Sequence, residues 1–349
     1  ATSVGCVSTE PAQTPVPAPR SSLATPGDAG AAAALTRSRA ELAAALAAAP
    51  GPRAVVMTMG ALHEGHFDLV REAARRVGQA GTVVVTIFVN PLQFAPTEDL
   101  DSYPRDLEGD LAGLTQTLTG VDGALGVGRL VVFAPTPEVI YPAGQPAVRI
   151  DPGPIATVLE GRTRPTHFAG VCQVVLTLMH LTAPRWALFG RKDAQQLAII
   201  EAMVRDLAVP VEIVPVDIRR ESDGLAMSSR NAYLSPEQRR QALALSRALQ
   251  AGQDVAAQAA GSGTRPDPAA IRRAALASLE AADGVEIDYV ALVDPAGFED
   301  LTDAGLGLPR RAPVREDTGE GLPAVGLLAV AARVGTTRLI DNTLIDLHP

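Results

Sequence analysis

The chain has 349 residues, of which 47% are hydrophobic and 3% aromatic, and its formal net charge at pH 7 is −9. This length is sufficient for two domains, whose cores must consist mainly of small aliphatic side chains. The acidic balance, without a long run of Lys and Arg, argues against a nucleic-acid partner, because nucleic-acid binders present a basic surface. The apolar stretches are too short for a membrane helix, so we expect no membrane partner.

Cysteine content and the N-terminal composition predict the compartment and the first boundary of the chain. Cys6 and Cys172 are far apart, so neither a disulfide framework nor a thiolate metal site is indicated, and we expect a cytoplasmic protein. Residues 1–30 are rich in Pro, Ser, Thr, Ala and Gly and lack the apolar core of a signal peptide. We predict that they form a disordered tail.

Strands and helices alternate along residues 31–220. This pattern predicts a doubly wound, Rossmann-like parallel α/β sheet with right-handed crossovers. The predicted strands are residues 54–59, 82–89, 130–134, 148–150, 186–190 and 211–216, and the predicted helices are residues 36–49, 66–79, 166–182 and 193–207.

A smaller α+β domain is predicted for residues 221–349. Helical patterns cover residues 236–260 and 268–282, whereas residues 287–293 and 327–333 are typical of strands. The segment 303–323 is rich in Pro, Gly and charged residues, which predicts an exposed loop.

Two histidines lie three positions apart where the second predicted helix begins, in the stretch TMGALHEGHFDLV (residues 58–70). A helix start presents free backbone N–H groups, and Gly60 and Gly65 let the backbone approach a ligand closely. His63 and His66 can donate hydrogen bonds to phosphate oxygens and gain positive charge as negative charge develops. The turn therefore predicts a triphosphate site. The alternatives are a pair of surface histidines or, less favoured, a zinc site, for which the usual spacing is four.

The same turn carries a family resemblance. His63-Glu64-Gly65-His66 resembles the His-x-Gly-His signature of nucleotidylyltransferases and class I aminoacyl-tRNA synthetases, and residues 59–66 as a whole resemble the pantoate–β-alanine ligase family. Further matching strings follow in register and extend the resemblance over about residues 33–345. They are FVNPLQF (88–94), DSYPR (101–105), RPTHFAGV (164–171), FGRKDAQQ (189–196), DGLAMSSRN (223–231) and LAVAARVGTTRLIDN (328–342).

The resemblance implies an ATP-dependent, AMP-forming ligase that joins pantoate to β-alanine through pantoyl adenylate. It also implies Mg²⁺ as the metal that accompanies ATP, and a homodimer. Because adenylation gives the carboxylate a good leaving group, the site needs cations, N–H donors and amides rather than a Ser or Cys nucleophile.

The family pattern then assigns roles to residues of this chain. His66 matches the catalytic acid, and His63, Lys192, Ser228, Ser229 and Arg230 are the other expected catalytic residues. The implied ATP contacts are Met59, Gly60, Ala61, Leu62, His63, Glu64, Gly65, His66, Gly190, Arg191, Lys192, Asp193, Arg219, Met227, Ser228, Ser229 and Arg230.

Three further positions complete the implied site. Gln93 is expected to bind pantoate and β-alanine, Gln196 is expected to bind pantoate, and Asp110 matches an acidic position that the family associates with Mg²⁺. The chain departs from the family at several positions that bear on ATP and metal binding. Arg191 replaces a glutamate, Ala194 a tyrosine and Arg219 an aliphatic residue, and Gly109 stands where some members have a second acid.

Two other functions stay open beside the ligase. One is a nucleotidylyltransferase that moves AMP or CMP onto a phosphorylated small molecule, and the other is a non-catalytic nucleotide-binding regulator. Pyrophosphate exchange driven by pantoate alone favours the ligase over the transferase. Retention of the full set of phosphate-neutralising groups speaks against the regulator, although a fold alone does not prove a function.

Overall fold

The structure is a computed structural model that describes residues 33–49, 51–94, 100, 103–120, 126–302 and 323–348. The predicted tail and nearly all of the predicted 303–323 loop lie outside these residues. Among the described helices, none combines the length and the apolar character that a bilayer crossing requires.

A six-stranded parallel sheet forms the N-terminal unit, as predicted. Its strands are β1 (Ala33–Thr36), β2 (Arg53–Thr58), β3 (Thr82–Ile87), β4 (Arg129–Phe133), β5 (Trp186–Gly190) and β6 (Glu212–Val216). The spatial order is β1-β4-β3-β2-β5-β6. The chain winds outward from β2 through β3 to one edge and from β5 through β6 to the other. The switch point therefore lies between β2 and β5, where parallel sheets commonly bind ligands at the carboxyl ends of the strands.

Helices cover both faces of this sheet because successive strand residues point to opposite sides. The helices are α1 (Arg39–Ala47), α2 (Glu64–Val77), α3 (Leu107–Leu118), α4 (Pro137–Ile140), α5 (Glu160–Thr163), α6 (His167–Thr182) and α7 (Ala194–Asp206). Val55 packs in a core with α1, α6 and α7, whereas Val56 packs in a second core with α2 and α3. Both valines are fully buried, which explains the continuous apolar runs of the central strands.

The C-terminal unit is a three-stranded antiparallel sheet packed on two helices. Its elements are α8 (Pro236–Gly261), α9 (Pro268–Glu280), β7 (Val285–Val293), β8 (Val325–Val334) and β9 (Thr337–Asp346), with sheet order β7-β8-β9. One sheet face forms a core with α8 and α9. The other face packs on the N-terminal unit, where Tyr289 and Ala291 share a cluster with Leu159 and Ala198. The predicted fold class is confirmed.

A buried ion-pair network also joins the two units. Arg338 of β9 donates to both carboxylate oxygens of Glu160, over 2.6 and 2.7 Å, and to Asp288 Oδ2 over 2.6 Å. The Tyr289 hydroxyl donates to Glu160 as well, over 2.9 Å. Since the side chains of Arg338 and Glu160 are only 15% and 12% exposed, this network is part of the interface.

Several boundaries differ from the sequence-based predictions. The first helix begins at Arg39 rather than at residue 36, because Ser38 and Glu41 form a capping box there, and residues 33–36 form β1 instead. The predicted strand at 148–150 is wrong: the segment pairs with no strand of the described sheet, and Val148 is 80% exposed. The helix α3 and the strand β9 had no counterpart among the predicted elements.

Candidate active site

The two histidines lie at the switch point of the sheet, between the end of β2 and the first turn of α2. The main-chain N–H of His63 donates to Nδ1 of His66 over 3.3 Å. An Nδ1 that accepts a hydrogen bond carries no proton, so the neutral ring of His66 has its proton on Nε2. The two rings lie close together, with centroids 4.1 Å apart.

The electrostatic surroundings keep both imidazoles neutral. Burial, reinforced by neighbouring His63, lowers the pKa of His66 to about 3. Burial also lowers the pKa of His63, and the charge of Lys192 lowers it further. In the free protein at neutral pH, these side chains therefore act as neutral N–H donors. The physical reason is desolvation of the ring, and the expected gain of positive charge as negative charge develops on a ligand stays a prediction.

The backbone N–H groups of the histidine turn are not all free, in contrast to the prediction. Ala61 and Leu62 donate to the carboxylate of Asp110, over 3.1 and 2.6 Å. Gly65 donates to the thioether sulfur of Met227 over 3.3 Å. The turn is thus bound to α3 on one side and to the segment around Met227 on the other.

A larger residue would clash with neighbouring side chains at both glycine positions of the turn. Gly60 has a φ of +90°, and a Cβ there would lie 3.1 Å from Oδ2 of Asp110. A Cβ on Gly65 would lie 3.1 Å from the ring of His63. The glycines therefore make room for protein side chains, not only for a ligand.

Asp110, the predicted magnesium position, is buried at the start of α3, with 3% of its surface exposed. Each of its carboxylate oxygens accepts an N–H of the histidine turn. Within the described residues, no group of three or more His, Cys, Asp and Glu side chains can hold a metal ion. In this structure Asp110 holds the histidine turn, and its predicted metal role remains a prediction.

Lys192 follows β5 in a single 3₁₀ turn, Arg191–Asp193. It is the only lysine in the chain, since the sequence contains 30 Lys and Arg residues together and the other 29 are arginines. The neighbouring Arg191 side chain turns to Asp217, with Nε 3.2 Å from Oδ1. The departure from glutamate at 191 therefore adds an exposed ion pair at the rim of the site, and the predicted ATP contact of Arg191 stays a prediction.

Asp193 lies among the basic groups of the site. Burial alone would raise the pKa of its carboxyl group, but Lys192 and three further basic side chains lower it below its usual range. The three are His167, Arg230 and Arg164. The site is therefore a cationic region that also holds the carboxylate of Asp193, a residue exposed to solvent.

The segment around residues 219–230 brings the third set of predicted groups to the site. Arg219 and Met227 pair across a hairpin, in which Met227 N–H donates to Arg219 O over 2.9 Å. Ser228 then caps a 3₁₀ turn, Ser229–Tyr233, by accepting from the N–H of Arg230 over 3.3 Å. The Arg219 side chain itself pairs with Asp68, at 3.3 Å.

Gln93 follows β3 and is held in a fixed orientation. Its amide nitrogen donates to the sulfur of Met59 over 2.9 Å, and its oxygen accepts from Asn90 Nδ2 over 3.1 Å. Asn90 is 1% exposed and also accepts from the hydroxyl of Tyr141. Sequence reasoning assigned no role to Asn90, although a polar residue directly after a buried strand was the available signal.

His167 and Arg164 hold the main chain of the same turn. The Nδ1 atom of His167 lies 3.0 Å from Gln93 O, and its Nε2 atom lies 3.3 Å from Nη1 of Arg164. A carbonyl only accepts and a guanidinium only donates, so His167 has its proton on Nδ1. These two basic residues therefore contact the protein around Gln93, in addition to facing the cavity.

One cavity of about 270 Å³ joins these elements. The predicted site residues that line it are Met59, His63, Gly65, His66, Gln93, Gly190, Lys192, Asp193, Gln196, Arg219, Met227, Ser228, Ser229 and Arg230. The predicted site residues that do not line it are Gly60, Ala61, Leu62, Glu64, Arg191 and Asp110. Glu64, for example, pairs with Arg71 at 3.0 Å on the surface of α2.

A larger cavity of about 510 Å³ adjoins the first one and lies between the two units. The two cavities share a wall that includes Lys192, Asp193, Gln196, Ser228 and Arg230. The phosphate-binding candidates thus stand where both units meet.

A family model described as pantoate-beta-alanine ligase matches residues 34–344. The chain belongs to this family. The match begins in β1 and ends in β9, so the pantoate–β-alanine ligase family includes both structural units.

Individual members of the pantoate–β-alanine ligase family agree with this membership. The pantothenate synthetase of Streptomyces avermitilis is 46% identical over 334 residues, which covers 84% of this chain and 92% of that protein. A crystal structure of the Thermus thermophilus pantothenate synthetase has a TM-score of 0.73 at 41% identity and covers 90% of this chain and 99% of that one. The Francisella tularensis pantoate-beta-alanine ligase, solved with beta-gamma ATP and beta-alanine, has a TM-score of 0.63 at 28% identity, over 89% of this chain and 97% of that one.

Proposed function

We propose that the chain catalyses the ATP-dependent condensation of (R)-pantoate with β-alanine to pantothenate, AMP and pyrophosphate. In the first step, a carboxylate oxygen of pantoate attacks the α-phosphorus, and the bond to the bridging oxygen of pyrophosphate breaks. In the second step, the amine of β-alanine attacks the acyl carbon of pantoyl adenylate. The acyl C–O bond breaks, AMP leaves, and the nitrogen loses a proton.

The observation that carries this proposal is the convergence of three sequence-distant groups on one cavity. His63 and His66 come from the end of β2, Lys192 from the end of β5, and residues 228–230 from the start of the C-terminal unit. They offer neutral N–H donors, an ammonium, hydroxyls and a guanidinium, which together suit a triphosphate whose charge increases at the α-phosphorus.

We assign the steps to residues as follows. His66 donates from Nε2 to the α-phosphate, because its Nδ1 atom accepts a hydrogen bond from the main-chain N–H of His63. Lys192 bridges phosphate oxygens as a compact charge on a flexible stem. Ser228, Ser229 and Arg230 bind the pyrophosphate that leaves.

Gln93 and Gln196 are the proposed pantoate contacts. Gln93 is buried at the cavity wall, and Asn90 fixes its amide orientation. The neighbouring Gln195 is buried in the protein, where it donates to Ile155 and Val158, whereas Gln196 lines the cavity. An amide can donate to a carboxylate and accept from a hydroxyl, which suits a hydroxy acid.

Magnesium enters the proposal with the nucleotide. Mg²⁺ usually keeps phosphate and water ligands and needs few protein carboxylates, and Asp110 is engaged by the histidine turn. The homodimer implied by the family resemblance and the cytoplasmic location expected from the cysteine content belong to the same proposal, and sedimentation of the purified protein tests the dimer.

The test is an assay of AMP formation with ATP, Mg²⁺, D-pantoate and β-alanine, in which each component is omitted in turn. We expect AMP only when all four are present, and pyrophosphate exchange into ATP with pantoate but without β-alanine. Exchange that requires a nucleotide monophosphate or a phospholipid precursor instead of pantoate would contradict the ligase and favour a nucleotidylyltransferase. No exchange with any acid would favour a non-catalytic regulator.

A further inference from the structure

Two adjacent residues of the C-terminal unit, Asp341 and Asn342, lie in the edge strand β9. In the register with β8, Asn342 is opposite Ala329 and Asp341 is opposite Val330. Ala329 packs in the cluster between the two units, whereas Val330 packs against the helices of the C-terminal unit. Since strand residues alternate between faces, Asn342 faces the N-terminal unit and Asp341 faces the other way.

Asn342 binds the turn that carries Lys192. Its side-chain nitrogen donates to the main-chain oxygen of Arg191 over 3.0 Å and to that of Lys192 over 2.8 Å. Asn342 is only 5% exposed. Two carbonyl groups of the turn are therefore fixed from the C-terminal unit, and a side chain without N–H donors would remove both of these hydrogen bonds.

Asp341 binds the hairpin that leads to Ser228. Its carboxylate accepts two hydrogen bonds from the guanidinium of Arg220, over 2.7 and 3.1 Å, and Asp341 is 3% exposed. Arg220 pairs with Ala226 across the hairpin and also donates to Gly224 O over 3.1 Å. The bidentate pair therefore fixes the hairpin directly before Met227 and Ser228.

We propose that Asp341 and Asn342 are positioning residues for the adenylation step. Neither residue lines the 270 Å³ cavity, although both line the adjoining 510 Å³ cavity. Asn342 holds the turn of Lys192, and Asp341 holds the hairpin before residues 228–230. Through this pair, a single strand sets the distance between the two groups of phosphate-binding side chains. The inference rests on the proposed phosphate contacts of Lys192 and residues 228–230.

The main test is Asn342→Leu, which keeps the approximate size of the side chain and removes the donors. We expect kcat for pantoate-dependent pyrophosphate exchange to fall about tenfold, with KM for ATP changed by less than about twofold, because the lost alignment matters in the transition state. In a Lys192→Ala background the same substitution should cause no further loss, since its effect passes through Lys192. Thr343→Val is the matched control, because the Thr343 hydroxyl accepts from Gln253 Nε2 and donates to Leu344 O, and both of these partners belong to the C-terminal unit.

A second measurement does not depend on turnover. Because Lys192 is the only lysine, its labelling by trinitrobenzenesulfonate can be located by mass spectrometry. We expect ATP to protect Lys192 from labelling in the wild type and in Thr343→Val, and to protect it less in Asn342→Leu. A purely structural role would lower the melting temperature without changing the protection of the folded fraction.

Wild-type exchange and protection in Asn342→Leu would overturn the inference while leaving the proposed function intact. Fully multiplicative losses in the double variant with Lys192→Ala would overturn it as well. If Asn342→Leu does not fold, Asn342→Ser and Asp341→Asn are measured in the same way, and wild-type exchange in both has the same consequence. Wild-type exchange in Lys192→Ala, in contrast, would remove the assigned role of Lys192 and the inference with it.

Discussion

The two sides of the candidate active site differ in charge and in what holds them. One side, which we term the imidazole wall (residues 59–66), carries two neutral rings and is held within the N-terminal unit by Asp110. The other side, the cationic wall (Lys192 and residues 228–230), carries the ammonium and the guanidinium. It is linked to the C-terminal unit through Asn342 and through the hairpin that Asp341 binds.

This difference shows that the two units contribute different groups to the phosphate site. The imidazole wall offers hydrogen bonds from a turn that the parallel sheet fixes, whereas permanent positive charge comes from segments that depend on the antiparallel sheet. A triphosphate needs both, so the C-terminal unit is part of the phosphate site rather than an appendage.

The largest effect is expected at Lys192. Lys192→Ala should lower the adenylation rate by two or more orders of magnitude, about 3 kcal/mol of transition-state stabilisation. Lys192→Gln should be nearly as defective, because a neutral donor cannot replace the charge at the cationic wall. Pantoate-dependent pyrophosphate exchange measures both. Arg205→Ala, which removes an exposed ion pair on α7, is the control and should be unaffected. Near-wild-type pyrophosphate exchange in Lys192→Gln would contradict the claim that the cationic wall acts through its positive charge.

A substitution at the interface between the two units should lower the free energy of unfolding by about as much as Lys192→Ala raises the activation free energy of adenylation. Arg338→Met leaves Glu160 buried without its cation and should lower the free energy of unfolding by about 3 kcal/mol. Chemical denaturation measures this value. Hydrogen exchange should then increase in residues 190–193 before it increases in the imidazole wall, because Asn342 of the C-terminal unit binds the former, whereas Asp110 of the N-terminal unit holds the latter.

The control for Arg338→Met is Arg71→Met, which removes a surface ion pair and should cost less than about 1 kcal/mol. The side chain of Arg71 is 43% exposed, against 15% for Arg338. Equal destabilisation by the two substitutions would mean that the interface network is not what joins the units.

At the imidazole wall, a neutral donor should be tolerated better than at the cationic wall. His66→Ala should lower adenylation about a hundredfold, whereas His66→Gln should lower it only about tenfold, because the glutamine amide can still donate a hydrogen bond. The same exchange assay compares them. If Gln and Ala are equally defective at residue 66, the ring does more than donate as a neutral group.

Much of this arrangement could be predicted from the sequence because its signals are local. The β-branched runs indicated the central strands, and the glycine turn with its two histidines marked the switch point. The single lysine is a further local signal. Of the 30 Lys and Arg residues, 29 are arginines, and the one compact ammonium is at residue 192.

The parts that escaped prediction depend on contacts between distant segments. The helix α3 contains Gly109 and Gly113, which are poor helix formers, and it is stabilised by the Asp106 cap and by packing of its leucines. Asp110 contacts a turn 49 residues away, and Asn342 contacts a residue 150 positions away. No spacing rule within one element can reveal such partners, so the role of Asp110 at the histidine turn became evident only in three dimensions.

The smallest expected effect is a pH dependence of stability that comes from the imidazole wall. Both rings are neutral in the folded protein, and the pKa of His66 falls from 6.5 to about 3 on folding, chiefly through burial. Below pH 6.5 the unfolded chain therefore binds more protons than the folded one, so the free energy of unfolding decreases as the pH falls from 6.5 toward 3. The contribution of one histidine approaches about 1.4 kcal/mol per pH unit within this window.

His66→Gln removes the titrating group and should make the decrease in the free energy of unfolding shallower between pH 6 and 5, by up to about one proton in the linkage slope. Denaturation at several pH values measures the slope, and His180→Gln, on the exposed face of α6, is the control that should leave it unchanged. An unchanged slope in His66→Gln would mean that the ring is charged in the folded protein. Both walls would then carry positive charge, and the contrast between them would disappear.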